Sequence, residues 1–314
     1  KLSNRLKSGN ASMHINNVAF DPMTSQGINV GNNSGDQTVQ PGKSKTYTYY
    51  AHPDYGQTGS VIWDFGNLTG NVRDGLYGGL IIGPRGSVYR DPATGKDISL
   101  GNSWKADVII DKSYPENRNR ENYRDFALYF QDEDNILGTS FMPYLQNVAG
   151  LTGVNYRLEP WSYREDEGCE LGNMFTACVA AASDPATPTL KAHAGDRVMI
   201  NIFGAHNEQN QMFNVDGHQW RRHLNQENSD MIDVEEFGGG EYIQAFIKAG
   251  GTYNNPGTYL WLNARTPYQQ AGQWGYFKVL PAGDRSVLPL GGASPTGVKS
   301  ASKDAGDDVL SMNR

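Results

Sequence analysis

No apolar run in this chain approaches the roughly 18 residues that a membrane-spanning helix needs, so no helical membrane span is expected. Basic residues are in deficit, with 27 Lys and Arg against 34 Asp and Glu and a formal net charge of -7. Without a basic face to neutralise phosphates, no nucleic-acid partner is expected either. Cysteine is nearly absent. Cys169 and Cys178 stand nine apart in the loop-like stretch from Glu165 to Cys178, and can form one local disulfide or a pair of buried free thiols. Helical periodicity is rare, and there is no short-period internal repeat. No leader-like segment stands at Lys1, which leaves a soluble chain or the mature form of an exported one.

Glycine (37), proline (15) and aromatic residues (11%) are abundant, which is the composition of many short strands joined by turns. An all-β chain is therefore expected, and 314 residues suffice for two domains, each with its own core. The first forty residues, rich in Asn, Gly and Ser, read as loops between short strands. After the turn Gln40-Pro-Gly42, the segment Lys45 to Tyr50 alternates and is strongly β-forming. Gly59 to Asp64 forms a second strand. Gly75 to Pro84, apolar on both faces, belongs in a sandwich core. A charged connector from Arg85 to Asp111 closes a first domain of residues 1–111.

A second domain, residues 112–282, is expected to open with the alternating strand Tyr123 to Asp132. The chain turns around Gly153 to Pro160, and the Ala-rich piece from Phe175 to Ser183 can make a helical turn. A strand from Asp196 to Phe203 leads into the aromatic hairpin Gln211 to Trp220. After Pro281 the periodicity ends, so residues 283–314 read as an extended tail with nothing to make a core. The triplets beginning at Asn10, Asn32 and Asn67 are glycosylation sequons compatible with export. With the candidate disulfide they point to an extracytoplasmic location, whether secreted, periplasmic or at the cell surface.

The framework of the first domain, Pro41-Gly42, then Gly59 to Gly66, then Gly75 to Ile82, resembles the cupredoxin domain of multicopper oxidases. In the second domain, Gln211 to Gly217 is similar to that family's H-P-F-H-L-H-G motif. Leu262 to Gln273 lines up with its H-C-H-I-x-x-H-x-x-x-G-M motif. Asn155 to Pro160 is similar to a linker of the ceruloplasmin and manganese-oxidase branch. The resemblance implies two cupredoxin-like Greek-key β-sandwiches and a family chemistry of copper-dependent oxidation.

It also implies a ligand set, and here the chain departs from the family. A type 1 copper takes two imidazoles and a thiolate with a weak axial thioether, and a copper cluster takes histidines in H-x-H pairs. The two type 1 histidine positions hold Gln211 and Tyr268, the cysteine position Asn263 and the axial position Gln273. The H-x-H pairs become His14-Ile-Asn16, Asp64-Phe-Gly66, Asn214-Val-Asp216 and Leu262-Asn-Ala264, so that only His14 survives. His218 matches a position read as structural, and His206 and His223 read as exposed. The oxygen donors Asn16, Asp64 and Asp216 around His14 suit a hard cation such as calcium better than copper, although a hydrogen-bonded polar patch is the plainer reading. The acidic run Gln131 to Asn135 reads in the same two ways.

In the family the first H-x-H motif lies well inside its domain, whereas His14 stands almost at the start of this chain. The strands expected to precede it are not in this sequence, so either the chain is a processed or truncated piece of a longer protein, or a partner chain or second copy supplies them at otherwise unpaired edges. The expectation is a non-catalytic multicopper-oxidase-like structural or assembly module that needs no cofactor of its own. The other reading is part of an active copper oxidase whose copper sites lie in other domains or chains.

Overall fold

The computed structural model describes residues 1–33, 35–67, 70–99, 103–132, 152–178 and 184–291. The described chain divides into two compact units, residues 1–82 and 83–291. In the first unit the strands are β1 (Leu2–Ser3), β2 (His14–Ile15), β3 (Ala19–Phe20), β4 (Ser44–Lys45), β5 (Tyr49–Tyr50), β6 (Thr58–Trp63) and β7 (Tyr77–Ile82). They form three small antiparallel sheets, β2-β6-β7, β1-β4 and β3-β5. Met13, Ile15, Val18, Val39, Tyr47 and Ile62 fill the core between them.

The expected strand from Lys45 to Tyr50 is split, because β4 pairs with β1 while β5 pairs with β3. Tyr47, between the two, turns inward and donates its hydroxyl to the Gln37 carbonyl. β7 is also less enclosed than its apolar run predicts: only Tyr77 is buried, and Gly78 to Ile82 are half-buried. β6 covers one edge of β7, and no described strand pairs with the other.

In the second unit the elements are β8 (Val88–Arg90), β9 (Lys105–Ile109), β10 (Tyr123–Asp132), β11 (Gly153–Val154), α1 (Trp161–Asp166), β12 (Leu190–His193), β13 (Arg197–Asn207), β14 (Gln211–Val215), β15 (Trp220–Arg221), β16 (Met231–Ile232), β17 (Val234–Phe237), β18 (Tyr242–Lys248), β19 (Gly257–Asn263), α2 (Thr266–Ala271) and β20 (Trp274–Leu280). A six-stranded sheet runs β18-β13-β10-β9-β8, with β11 paired to β10, and a five-stranded sheet runs β12-β20-β19-β14-β17. Between them lies one core, to which β10 and β13 supply Phe126, Leu128, Phe130, Ile200 and Ile202, and the facing sheet Phe213, Trp261 and Phe277. This is the expected all-β sandwich. The parallel pairs β10-β13 and β12-β20 within otherwise antiparallel sheets are its non-sequential connections.

Three features differ from the sequence reading. The connector between Arg85 and Asp111 is part of the second unit, since β8 and β9 extend its larger sheet beside β10, Val108 opposite Tyr123. β10 does not alternate: all its residues but Tyr129 are buried, because its second face packs into a cluster of Val108, Tyr123 and Met199 with Leu224 and Phe246. The tail is docked through Leu290, with Val287 buried and the Leu288 amide donating to the Pro92 carbonyl at 2.7 Å. Residues 292–314 lie outside the described residues, as do 133–135 of the acidic run and 179–183 of the Ala-rich piece. The described part of that piece is a turn whose Phe175 packs against Trp274.

Buried charge ties the second unit together. Arg124, fully buried, pairs with Asp107 at 2.9 Å and Asp196 at 2.8 Å and donates to the Leu288 carbonyl. His193, beside it, contacts the Asp284 carbonyl at 2.9 Å. Cys169 and Cys178 form a disulfide with a Cα–Cα distance of 5.7 Å. No helix of the described residues is long and apolar enough to cross a membrane.

Candidate functional site

β14 and β19 lie side by side with Phe213 opposite Asn263, which brings Gln211 to the strand that ends in Asn263. From there α2 turns the chain back. Its C-terminal cap Gly272 adopts φ 106°, and the next residue, Gln273, donates its backbone N–H to the Tyr268 carbonyl and accepts at its own carbonyl from Asn263 N. The result is that Gln211, Asn263, Tyr268 and Gln273 converge at one end of the sandwich, the three amides fully buried and Tyr268 2% exposed.

The amides spend their hydrogen bonds on one another. Asn263 Nδ2 donates to Gln211 Oε1 and, at 2.7 Å, to Gln273 Oε1. Asn263 Oδ1 accepts from the backbone amides of Met212 and Arg265. Gln211 Nε2 donates to the Gln209 carbonyl and Gln273 Nε2 to the Gln131 carbonyl, each at 3.0 Å. Tyr268 completes the wall, its hydroxyl donating to Asp132 Oδ2 at 2.8 Å while the Arg265 guanidinium lies over its ring. Burial and the Asp132 carboxylate push the phenol far above its ordinary pKa, so it stays protonated. Burial also pushes Asp132 up to about 7 against the hydrogen bonds from Tyr268 and from the Gln209 and Glu208 backbone.

Gln131 and Asp132 are the members of this network that the sequence did not reveal. The sequence places them both at the end of the strand Tyr123 to Asp132 and at the start of an acidic loop; the strand reading holds, since both belong to β10 and are buried. The available signal was that the strand pattern of β10 runs to Phe130 without a turn residue.

The four positions do not fit a type 1 copper. That centre needs imidazole nitrogen and a thiolate, and here the converging groups are neutral carboxamides and a phenol, already paired with one another.

Of the H-x-H positions, those of the first unit hold groups satisfied within the chain. In the first unit His14 Nδ1 contacts the Gln26 carbonyl at 2.6 Å and Nε2 contacts Asn16 Oδ1 at 3.0 Å. The buried Asp64 carboxylate accepts from Ser12 N, Gly66 N and Asn71 Nδ2, an anion held by its own loop. In the second unit Asn214 donates to the Asp233 carbonyl at 2.8 Å, and Leu262 packs beside Trp274. His218 is buried: its Nε2 accepts from Gly250 N at 3.1 Å, which leaves Nδ1 to donate to the Asp216 carbonyl at 2.8 Å. Burial lowers its pKa, so the neutral ring is kept. Among the described residues, no three or more His, Cys, Asp or Glu side chains group so as to hold a metal ion.

No family model and no curated protein matches the chain by sequence. Solved structures do match by fold. A multicopper oxidase named mgLAC superposes with a TM-score of 0.52 at 17% identity, over 90% of this chain and 72% of that one. Copper nitrite reductase from Nitrosomonas europaea gives 0.51 at 13% identity, over 90% and 79%. The blue copper oxidase from the same organism gives 0.50 at 14% identity, over 89% and 71%. The chain therefore has the cupredoxin-domain fold of the multicopper oxidases and copper nitrite reductases.

Proposed function

We propose that this chain is a non-catalytic, multicopper-oxidase-like module serving structure or assembly. One observation carries the reading. The positions that the resemblance equates with type 1 ligands do converge, but as a closed network of Gln211, Asn263 and Gln273 walled by Tyr268. A metal entering there would break buried hydrogen bonds, each group then costing about 1–3 kcal/mol of desolvation, and would gain only neutral oxygens.

The assembly half of the reading is supported by the first unit. β7 carries Leu80, Ile81 and Ile82 half-buried beside an edge that no described strand pairs. Another polypeptide, a second copy or a partner chain, would add a strand there. The Cys169–Cys178 disulfide suits an extracytoplasmic complex, where oxidising conditions keep it formed.

Plasma mass spectrometry and visible spectroscopy on the intact purified particle test the first half. Copper well below stoichiometry and no blue absorbance are expected. Stoichiometric copper with that absorbance overturns the reading in favour of an oxidase whose copper sites lie in other domains or chains. Mass photometry tests the second half, which a monomer melting cooperatively on its own would remove.

A further inference from the structure

A basin of about 520 Å³ opens in the second unit between two glycine turns. One turn joins β14 to β15 through Gly217, at φ 69°. The other follows β18 through Gly250 and Gly251, at φ 83° and 64°. A Cβ on Gly251 would come within 2.9 Å of the Gly217 carbonyl, so the turns approach as closely as backbones can. His218 fastens them, bound to the Asp216 carbonyl on one side and to Gly250 N on the other. The walls are thus held before any ligand arrives, which cuts the ordering cost of binding.

The groups facing this basin have hydrogen-bonding capacity left over. Asn214 Nδ2 is committed to the Asp233 carbonyl, while its Oδ1 has no partner among the described residues. Asp216, Asp233, Gln219 and Lys248 also line it, with no side-chain hydrogen bond among the described residues, and Lys248 lies close enough to Glu121 to help hold that carboxyl below its ordinary pKa. Apolar surface adjoins them. Met231, in the lining, is 53% exposed, and Tyr253, next to the lining residue Thr252 in the same turn, is 82% exposed. An aromatic residue left so far in water, one position along the turn from a polar basin, is an unspent contact surface.

We propose that this basin binds a neutral saccharide. A sugar hydroxyl donates and accepts at once, so adjacent hydroxyls pair with a carboxylate or Asn214 Oδ1 on one side and with Lys248 or Gln219 on the other. The C–H face of a pyranose supplies the apolar surface that Tyr253 and Met231 would cover. Two carboxylates against one ammonium disfavour phosphates, sulfated sugars and uronic acids. The volume lies within the range of about 300–1,000 Å³ usual for small-ligand sites. This proposal is independent of whether the module assembles or oxidises.

Saturation-transfer NMR on the full chain tests it, with maltotriose, cellotriose and triacetylchitotriose as probes and with trigalacturonate and calcium chloride as competitors. At least one neutral trisaccharide is expected to bind. Tyr253→Ala and Asp233→Asn, both at exposed positions, should each weaken that binding about tenfold, a change of about 1.4 kcal/mol. Circular dichroism should show both variants folded, and Tyr163→Ala, on the exposed face of α1, should bind as the parent does. Three outcomes overturn the proposal: no neutral probe binds, binding survives both substitutions, or only trigalacturonate or calcium binds.

Discussion

The Tyr268 hydroxyl donates to Asp132 Oδ2 at 2.8 Å, joining helix α2 to the last residue of β10. Asp132 is completely buried, and its Oδ1 has no partner among the described residues. With its pKa raised to about 7, the folded chain holds a proton there that an unfolded carboxyl, near 3.9, has already lost. The folded state therefore binds more protons between about pH 4 and 7, and stability falls as pH rises through that window. Asp125, also near 7, and Asp107, near 6, act in the same direction because burial outweighs their hydrogen-bond and ion-pair partners. Thermal melts should show the melting temperature declining from pH 4 to 7, and Asp132→Asn should flatten part of that slope. An unchanged slope would place the titration elsewhere.

Restoring the ligands tests whether the frame of a copper site persists. The variant Gln211→His, Asn263→Cys, Tyr268→His, Gln273→Met is expected to take up one copper ion with the intense visible absorbance of a copper–thiolate bond. The parent chain, treated with copper in the same way, is expected to show none. A folded variant without that absorbance would mean that the four positions, though adjacent, no longer share ligand geometry.

Arg124 is a fully buried cation between Asp107 and Asp196. Arg124→Met leaves the buried Asp107 and half-buried Asp196 carboxylates uncompensated and frees the Leu288 carbonyl, so a loss of about 3–5 kcal/mol is expected in urea unfolding. Limited proteolysis should then cut between Asp284 and Leu290, a stretch that the parent protects.

Gly272 admits no side chain. At φ 106° a Cβ there would sit 2.4 Å from Glu159 N and 2.7 Å from Pro160 N, against backbone that no flexible side chain can yield for. Gly272→Ala should cost more than about 1 kcal/mol and displace Gln273 from Asn263. Calorimetry reads the first effect and the amide proton chemical shifts of Asn263 the second.

Much of this was legible in the residues. The strands β6, β13, β14 and β19 carry Val, Ile, Phe, Tyr and Trp in runs bounded by glycine or polar turns, so local propensity and the eventual pairing agree. Where local pattern and long-range pairing disagree, the reading slipped. The segment 88–109 looked like a charged connector because the polar ends of β8 and β9 dominate it, while their buried members Ala106 and Val108 find a face only beside β10. Lys45 to Tyr50 has the propensity of one strand, yet its two halves join different sheets.

The sequence by itself determined the β architecture and the absence of imidazole and thiolate from Gln211, Asn263, Tyr268 and Gln273. Those are properties of single residues and short spacings. It did not determine the pairing of Gln211 to Trp220, which is no hairpin, since β14 pairs with β17 and β19 and β15 with β16. Only the tertiary structure decided that these four side chains close on one another, that Asp132 is buried against Tyr268, 136 residues away, and that Arg124 holds the tail through Leu288, 164 residues away. The physical reason is range: a buried polar group must find its partner wherever the fold brings one, and a chain's local pattern carries no record of separations that long.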